Sequence, residues 1–137
     1  MIRHATLADF PLLLEANYRM WAKNGANQMR YTDEEKAKAY LRQACANGRV
    51  AIVEETFAIL YDVGAPWYSS HCFLIEEGMF RLVRNDIPVS RAIAALDVLK
   101  ERHGCVLIAV GDTQVGVMTP HYLAAGYRTL GTQLIKD

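Results

Sequence analysis

Two adjacent carboxylates near the middle of the chain are the residues whose types most directly suggest proton transfer. Glu76 and Glu77 end a stretch of strand-forming residues. Neighbouring side chains on a strand point to opposite faces, so only one of the two can face a given site. His71 begins the same stretch, and the unperturbed pKa of histidine, about 6.5, also suits proton transfer. The alternatives are an exposed carboxylate pair at a strand end and a structural histidine.

A carboxylate and two aromatic residues surround a predicted turn, where together they could bind a cationic amine. Asp62 precedes a Gly-Ala-Pro break, and Trp67 and Tyr68 follow it. A carboxylate attracts an ammonium group by its charge, and an aromatic ring does so through its face. A turn covered by its own aromatic residues explains the same pattern equally well.

The three cysteines predict neither a disulfide framework nor a metal site. Cys45, Cys72 and Cys105 are odd in number and far apart in the sequence, and no Cys-x-x-Cys or Cys/His ligand spacing occurs. Cys72 also lacks the paired histidine and third orienting group that a catalytic thiol needs. We therefore expect the cysteines to act as buried, small apolar side chains.

Size and charge restrict the classes of function. The chain has 137 residues, of which 52% are hydrophobic, and 15 basic residues balance 15 acidic residues. This length suits one domain, residues 1–137, with its own core. The cancelled charge gives no electrostatic footprint for nucleic acid, and no apolar run approaches the roughly 18 residues of a membrane span. Since the chain also opens without a signal-peptide pattern, we expect a soluble cytoplasmic protein.

The elements that must position these residues begin with a short strand and two helices. Residues 2–5 predict a strand, and Thr6 with Asp9 makes a variant capping box before the first helix. Thr32 and Glu35 make a full capping box before the second helix. Both helices are predicted to end at an Asn-Gly pair.

The rest of the chain alternates strands and helices. Its continuous apolar run at 105–110 is typical of a strand buried on both faces. The resulting order, β-α-α-β-β-β-α-β-α-β, predicts an α/β (α+β) fold with a mixed central sheet of about six strands and helices on both faces. The predicted elements are a hairpin (49–54 and 57–63), a strand (71–77, stopped near Gly78), a helix from Pro88 to Gly104, a strand (105–110), a helix within 115–125 and a final strand (127–136).

Two short motifs, one near each end of the chain, resemble the Gcn5-related N-acetyltransferase (GNAT) family. Residues 2–9, IRHATLAD, look like the family's short opening strand followed by R-x-A-T-x-x-D and the first helix. Residues 122–127, YLAAGY, are similar to the family's late Y-x-x-x-G-F/Y segment. Each motif alone has little specificity. Because they occur in the right order over nearly the whole chain, the resemblance implies the GNAT fold.

The family's pyrophosphate loop, R/Q-x-x-G-x-G/A, corresponds to residues 84–89 of this chain, RNDIPV. Here the chain departs from the family pattern. In the family, glycines let backbone N–H groups approach the diphosphate of coenzyme A at a helix N-terminus. Arg84 is retained, but Ile87 and Val89 occupy the two small positions. Pro88 removes an N–H donor, and the carboxylate of Asp86 repels phosphate.

The resemblance therefore implies an acetyl-CoA site that is either weakened or lost. Its expected ligands are Arg84 and the backbone around Val89, Ser90 and Arg91. Arg81, together with Arg84 and Arg91, can compensate as a phosphate ligand, because a guanidinium fork suits phosphate oxygens. Solvated surface around a helix start explains the three arginines equally well.

The function that the resemblance implies is acetyl transfer from acetyl-CoA to a primary amine, small or on a protein, by direct attack on the thioester. Tyr122 matches by position the family tyrosine that protonates the departing sulfur, and Glu76 or Glu77 is the expected base. The alternative role of Tyr122 is that of a helix aromatic packed against the sheet.

The C-terminus departs from the family in its length. After Tyr127 ten residues (128–137) remain, too few for the two closing strands of the family. We expect that side of the site to be open or completed by a second subunit, as in a homodimer. Short family-like proteins of this kind are encoded by tailed bacteriophages, and residues 60–69 and 132–136 look like that group. The rival function is therefore an inactive GNAT-fold binding or virion-associated module.

Overall fold

The computed structural model describes residues 1–24, 31–111, 117–131, 134 and 136. They form a five-stranded sheet with helices on both faces, which confirms the predicted fold class. Across these ranges, every helix is too short or too polar to span a membrane. In chain order the elements are β1 (Ile2–His4), a 3-10 turn (Leu7–Asp9), α1 (Phe10–Asn24), α2 (Glu34–Ala46), β2 (Val50–Val53), β3 (Phe57–Gly64), β4 (Phe73–Arg81), α3 (Ser90–Arg102), β5 (Leu107–Ala109) and α4 (Thr119–Ala124).

The strands lie in the sheet in the same order as in the sequence, β1-β2-β3-β4-β5. Neighbours from β1 to β4 are antiparallel, and β2 and β3 form the predicted hairpin. β4 and β5 run parallel. A parallel pair needs a crossover connection, and α3 provides it.

The sheet separates two apolar cores. β2 and β3 serve both, because successive side chains on a strand point to opposite faces. The larger core lies between the sheet and α3 with α4, and its members include Phe57, Tyr61, Leu74, Leu96 and Tyr122. The smaller core lies under α1 and α2, and its members include Leu13, Leu41, Ile52, Leu60 and Phe80.

A capping box and an ion pair fix the entrance to α1. Thr6 Oγ1 accepts a hydrogen bond from the backbone N–H of Ala8 at 3.3 Å, and the Asp9 carboxylate accepts one from the N–H of Thr6 at 2.8 Å. This is the predicted variant of the capping box. Arg3 donates two hydrogen bonds to the Asp9 carboxylate, at 2.8 and 2.9 Å. The guanidinium holds the pKa of Asp9 below its usual range and ties β1 to the start of the helix.

The N-terminal cap of α2 differs from the predicted one. Asp33, and not Thr32, is the cap, and its carboxylate accepts a hydrogen bond from the N–H of Lys36 at 3.0 Å. Both residue types cap helices, but aspartate ranks above threonine at this position, so the helix starts one residue later than predicted. The predicted stop is confirmed, since Gly48 has a φ of +71°.

β4 continues past the glycine that was expected to end it, and reaches Arg81. Gly78 lies within the strand because the ring of Phe80 covers it. A β-carbon at Gly78 would lie 2.7 Å from Phe80 Cε2, closer than two carbon atoms can pack. A side chain at this position would force the Phe80 ring to move, so the glycine makes room for the ring and does not end the strand.

The prediction of a strand buried on both faces at 105–110 is wrong. β5 spans only Leu107–Ala109, lies at the edge of the sheet, and leaves Leu107 39% exposed. An apolar run does not distinguish a central strand from a short edge strand. Residues 127–131, 134 and 136 belong to no strand, and the rest of the predicted final strand lies outside the described residues. The described sheet thus has five strands, one fewer than expected.

Candidate functional site

β5 pairs with the first part of β4 only. Their parallel register joins Phe73 to Leu107 and Ile75 to Ala109, and it ends there although β4 continues to Arg81. Within the described ranges, the second half of β4 therefore has no β5 residue beside it. We call the stretch of β4 without a described β5 partner, residues 76–81, the gap.

A β-bulge places an extra residue, Glu77, close to the point where the gap opens. On β3, Tyr61 lies opposite Glu76 and the preceding residue, Leu60, lies opposite Gly78. Glu77 is thus skipped in the register between the two strands. Bulges re-aim side chains and are frequent beside active sites.

The Glu77 carboxylate belongs to a hydrogen-bonded cluster on the face that carries α2. The Tyr40 hydroxyl lies 2.9 and 3.0 Å from its two oxygens, and the Arg49 guanidinium donates to it at 2.7 Å. Arg49 also lies 3.6 Å from Asp62. Burial raises the pKa of Tyr40, and the hydrogen bond to Glu77 raises it further. The Tyr40 hydroxyl therefore stays protonated at neutral pH and acts as a donor to Glu77.

A cavity of about 540 Å³ opens beside this cluster, between α1, α2, β3 and β4. Its volume lies in the range of small-molecule sites. Its polar lining includes two carboxylates and one ammonium group, and the Arg49 guanidinium bound to Glu77 makes the positive and negative charges equal in number. The buried apolar part of the lining includes Leu41, Leu60 and Phe80, and the charged part consists of Asp33, Lys36 and Glu77.

Glu76 lies on the opposite face of β4 from Glu77, toward α3 and α4. Burial raises the pKa of Tyr127 to about 12, and the charges of Asp97 and Glu76 act in the same direction. The Tyr127 hydroxyl is buried without a hydrogen-bond partner in the described structure. The two adjacent carboxylates therefore have different surroundings, and Glu77 is the one that lines the large cavity.

Tyr122 lies in α4, where it is 4% exposed. Its ring packs edge-on against that of Tyr127, with the ring centroids 5.2 Å apart. It belongs to the larger core together with Leu74 of β4. Tyr122 and Glu77 consequently lie on opposite faces of the sheet.

Arg81 organises the segment that connects β4 to α3. Its guanidinium donates to the carbonyl oxygen of Ile87 at 2.6 Å and to Asn85 Oδ1 at 3.1 Å, and it lies 4.5 Å from the ring centroid of Phe57. The Asn85 amide in turn donates to Thr56 Oγ1 at 2.8 Å. Arg81, one of the three expected phosphate ligands, is thus engaged in holding this segment.

The N-terminus of α3 has no side-chain cap. Val89 occupies the cap position and makes no side-chain hydrogen bond. The first N–H groups of a helix carry partial positive charge and bind anions when no side chain caps them. Ile87 and Val89, which replace the small residues of the loop pattern, both pack against the larger core. Much of their bulk is therefore directed into the protein.

A second cavity, of about 280 Å³, lies at this helix start and has a mixed charge. Arg91 lies 3.3 Å from Glu54, which also accepts a hydrogen bond from the N-terminal ammonium group at 3.1 Å. Arg84 and Ser90 are exposed nearby in the sequence. The cavity is lined by Glu54, Asp86, Ile87, Pro88 and Arg91.

The remaining candidates from the sequence lie at the surface. His71 is exposed, and its backbone N–H donates to Ser69 Oγ at 3.0 Å. Trp67 and Tyr68 are 95% and 65% exposed and contact each other edge-on. Asp62 contacts Arg49, which bridges it to the Glu77 cluster. Of the predicted amine-binding trio, the carboxylate is the member that reaches this cluster.

Sequence reasoning missed the partners of Glu77. The helical spacing of Tyr40 indicates only a place on the inner face of α2, whereas its hydroxyl reaches a strand that is distant in the chain. Arg49 was assigned to the start of a hairpin strand. No local signal identifies either contact, because both depend on how α2 packs across β3 and β4.

Comparison with known proteins identifies the fold. No protein-family model matches the sequence, and no curated protein matches it. Solved structures do match. A GCN5-related N-acetyltransferase from Ralstonia eutropha JMP134 is 13% identical, with a TM-score of 0.73 over 100% of this chain and 97% of that one. The chain has the GNAT fold.

Two further matching structures are of acetyltransferases with a bound coenzyme. A predicted acetyltransferase with acetyl-CoA from Clostridium acetobutylicum is 20% identical, with a TM-score of 0.68, and the match covers 100% of this chain and 95% of that one. An aminoglycoside N-acetyltransferase, AAC(6')-Iy, in complex with CoA is 13% identical, with a TM-score of 0.68 over 100% of this chain and 93% of that one. At such low identities the likeness establishes the fold.

Proposed function

We propose that this protein transfers an acetyl group from acetyl-CoA to an amine. The observation that carries the proposal is that the described pairing of β4 with β5 ends two residues before Glu77, which lines the cavity on one face of the sheet, while Tyr122 lies on the other face. Known GNAT-like structures with the same fold contain acetyl-CoA or CoA.

The residues around α3 fit the diphosphate of coenzyme A. The uncapped helix N-terminus offers backbone N–H groups, and the exposed Arg84 adds a guanidinium. Pro88 contributes no donor, and Asp86 and Glu54 add negative charge to the cavity at the helix start. We therefore expect a functional site of reduced affinity, held by Arg84, the backbone around Val89 and Ser90, and Arg91.

The chemistry assigns different tasks to the two faces of the sheet. Acetyl-CoA supplies the acetyl group as a thioester. Glu77 accepts a proton from the ammonium form of the acceptor, because its carboxylate lines the cavity and is only partly shielded, with 32% of its side chain exposed. Tyr122 donates a proton on the opposite face, where the leaving thiolate needs it. Tyr40 and Arg49 position the Glu77 carboxylate.

The acceptor is an amine of a small molecule or of a protein. The cavity beside Glu77 combines a buried apolar wall with the carboxylates of Asp33 and Glu77, which can accept hydrogen bonds from an amine on an apolar body.

Isothermal titration calorimetry with coenzyme A and acetyl-CoA tests the cofactor site. We expect dissociation constants in the micromolar range, and Arg84→Ala should weaken binding by about tenfold, the loss of one charge-assisted contact of roughly 1.4 kcal/mol. Arg42→Ala, which removes an exposed arginine of α2, is the matched control and should leave the affinity unchanged. If millimolar coenzyme A produces no heat, the enzyme proposal fails and the inactive binding module takes its place.

Release of the coenzyme A thiol in the presence of an amine panel tests the acid. Tyr122→Phe should lower kcat by about 10- to 100-fold, since a positioned proton donor contributes on that order. The neighbouring buried tyrosine provides the control, and Tyr127→Phe should retain activity. Equal losses in both variants would assign Tyr122 a packing role only.

A further inference from the structure

Two cysteines that are distant in the sequence lie next to each other where the pairing of β4 with β5 begins. Cys72 directly precedes β4, and Cys105 lies two residues before β5. Their Sγ atoms are 3.3 Å apart, and both thiols are free. The backbone N–H of Val106 donates to the carbonyl oxygen of Cys72 at 2.9 Å, so the two segments are fixed beside each other. We propose that Cys72 and Cys105 form a reversible disulfide, a thiol-modification site that responds to low-molecular-weight disulfides.

The geometry permits the bond without rearranging the sheet. A disulfide needs a sulfur separation of about 2.05 Å, so the two sulfur atoms must approach by little more than about 1 Å. Rotation about the Cα–Cβ bonds supplies such a shift. The flanking strands already pair from Phe73 to Leu107 onward, and they keep the two backbones in place.

The surroundings of the two thiols give them different roles. Cys72 is partly exposed, so an external disulfide reaches it first, whereas Cys105 is 8% exposed. Burial raises the pKa of the Cys105 thiol to about 11, and the adjacent Cys72 sulfur raises it in the same direction. Cys105 therefore stays a thiol beside Cys72 until Cys72 has formed a mixed disulfide with the oxidant. Its sulfur then displaces the oxidant from Cys72.

The exchange balances with glutathione disulfide as the oxidant. The Cys72 thiolate attacks one sulfur of glutathione disulfide, the S–S bond breaks, and one glutathione leaves as a thiolate. Cys105 gives up its proton and attacks the Cys72 sulfur of the mixed disulfide, expelling the second glutathione. Two cysteine thiols are oxidised to one disulfide, and glutathione disulfide is reduced to two glutathione molecules that carry the two protons.

The disulfide joins the two ends of the segment that contains β4 and α3. Closing this loop restricts the unfolded chain and leaves the folded pairing in place, so oxidation should stabilise the protein. The proposal is independent of the acetyl-transfer function, since it concerns the paired end of β4 and β5 and not the open end.

Incubation of the full chain with millimolar glutathione disulfide tests the proposal. Intact-mass spectrometry should show the loss of two hydrogen atoms, and alkylation after denaturation should modify Cys45 alone. Peptide mapping should recover a linked pair of peptides containing Cys72 and Cys105, and dithiothreitol should reverse the change. The oxidised form should unfold at a temperature higher by roughly 10 °C.

Variants separate the pair from the third cysteine. Cys45→Ser, on α2 in the other core, should retain the mass change and the thermal shift. Cys72→Ser and Cys105→Ser should lose both. A lasting glutathione adduct on Cys72, a disulfide between two chains, or no reaction in the wild-type protein would each overturn the proposal, and the wild-type mapping decides it even if a serine variant fails to fold.

Discussion

The two sides of β4 are built differently. On the β3 side, eight residues of β3 pair with β4, and the first five of them are buried. On the β5 side, the pairing covers three residues of an edge strand whose Leu107 is 39% exposed. The β3 side also carries the interior of both cores. One side of β4 is thus paired along eight residues of β3, and the other along only three described residues of β5.

This difference teaches how a small α/β domain can accommodate a site without losing its core. A short β4–β5 pairing removes few apolar contacts from the fold, because the buried contacts that stabilise it are concentrated in the antiparallel strands. The bulge at Glu77 lies on the β3 side, where continuous pairing on both flanks fixes the direction of its side chain. The Glu77 side chain therefore extends from a strand whose pairing with β3 continues on both sides of the bulge.

The largest expected effect tests the packing contrast directly. Phe57→Ala should destabilise the protein by about 3–5 kcal/mol, because Phe57 is 2% exposed in the larger core and supports the guanidinium of Arg81. Leu107→Ala should cost less than about 1 kcal/mol, since the side chain is already partly hydrated. Urea denaturation measures both. Similar losses would mean that β5 carries as much packing as β3.

Separate substitutions of Glu76 and Glu77 compare the two faces of β4 by their effect on catalytic activity. Glu77→Gln should lower kcat/KM for acetyl transfer by about 100-fold, since glutamine cannot accept the amine proton. Glu76→Gln removes the same charge from the opposite face of β4 and should stay within about threefold of the wild type. A thiol-release assay compares them. If Glu76→Gln shows the larger loss, the base lies on the face of α3.

The ion pair at the entrance to α1 predicts a pH dependence of stability. Arg3 lowers the pKa of Asp9 below its ordinary value of 3.8, so its contribution is complete above about pH 4. It is lost as the pH falls through the lower, folded-state pKa. Asp9→Asn should therefore cost about 1–2 kcal/mol at pH 7 and progressively less below pH 4. A constant difference across this range would show that the charge of Asp9 contributes nothing.

The smallest effect concerns the loop before α3, where a carboxylate opposes binding instead of supporting the fold. Asp86→Asn should tighten coenzyme A binding by about threefold, because it removes a negative charge from the cavity at the helix start. The gain should shrink at high salt. Asp97→Asn, farther along α3, is the matched control. Weaker binding in Asp86→Asn would mean that Asp86 organises the loop.

Local patterns in the sequence were sufficient for most of the elements. The hairpin of β2 and β3, the capping box at Thr6 and Asp9, and the helix stop at Gly48 each depend on residues close together in the chain. The adjacency of Glu76 and Glu77 was likewise enough to predict that they face opposite ways. Such features follow from strand alternation and backbone hydrogen bonding, which short segments specify by themselves.

The features that the sequence did not predict depend on contacts between distant segments. A glycine in a strand pattern predicts a stop at Gly78. A pattern of residue types does not show that the ring of Phe80 covers this glycine within the strand. The edge position of β5 follows from sheet order, and an apolar run does not encode it. In the same way, Cys72 and Cys105 are far apart in the chain, and only the pairing of β4 with β5 brings them together.

The identity of strand order and chain order has a consequence for the route of folding. β2, β3 and β4 each pair with the next strand along the chain, so only short loops must close and the entropic cost of closing them is low. β5 must wait until α3 has formed and crossed the sheet, because its parallel partner lies one whole helix away. We expect the antiparallel strands to nucleate the domain and β5 to dock late, so that the three-residue pairing of β4 with β5 is the last part of the sheet to form.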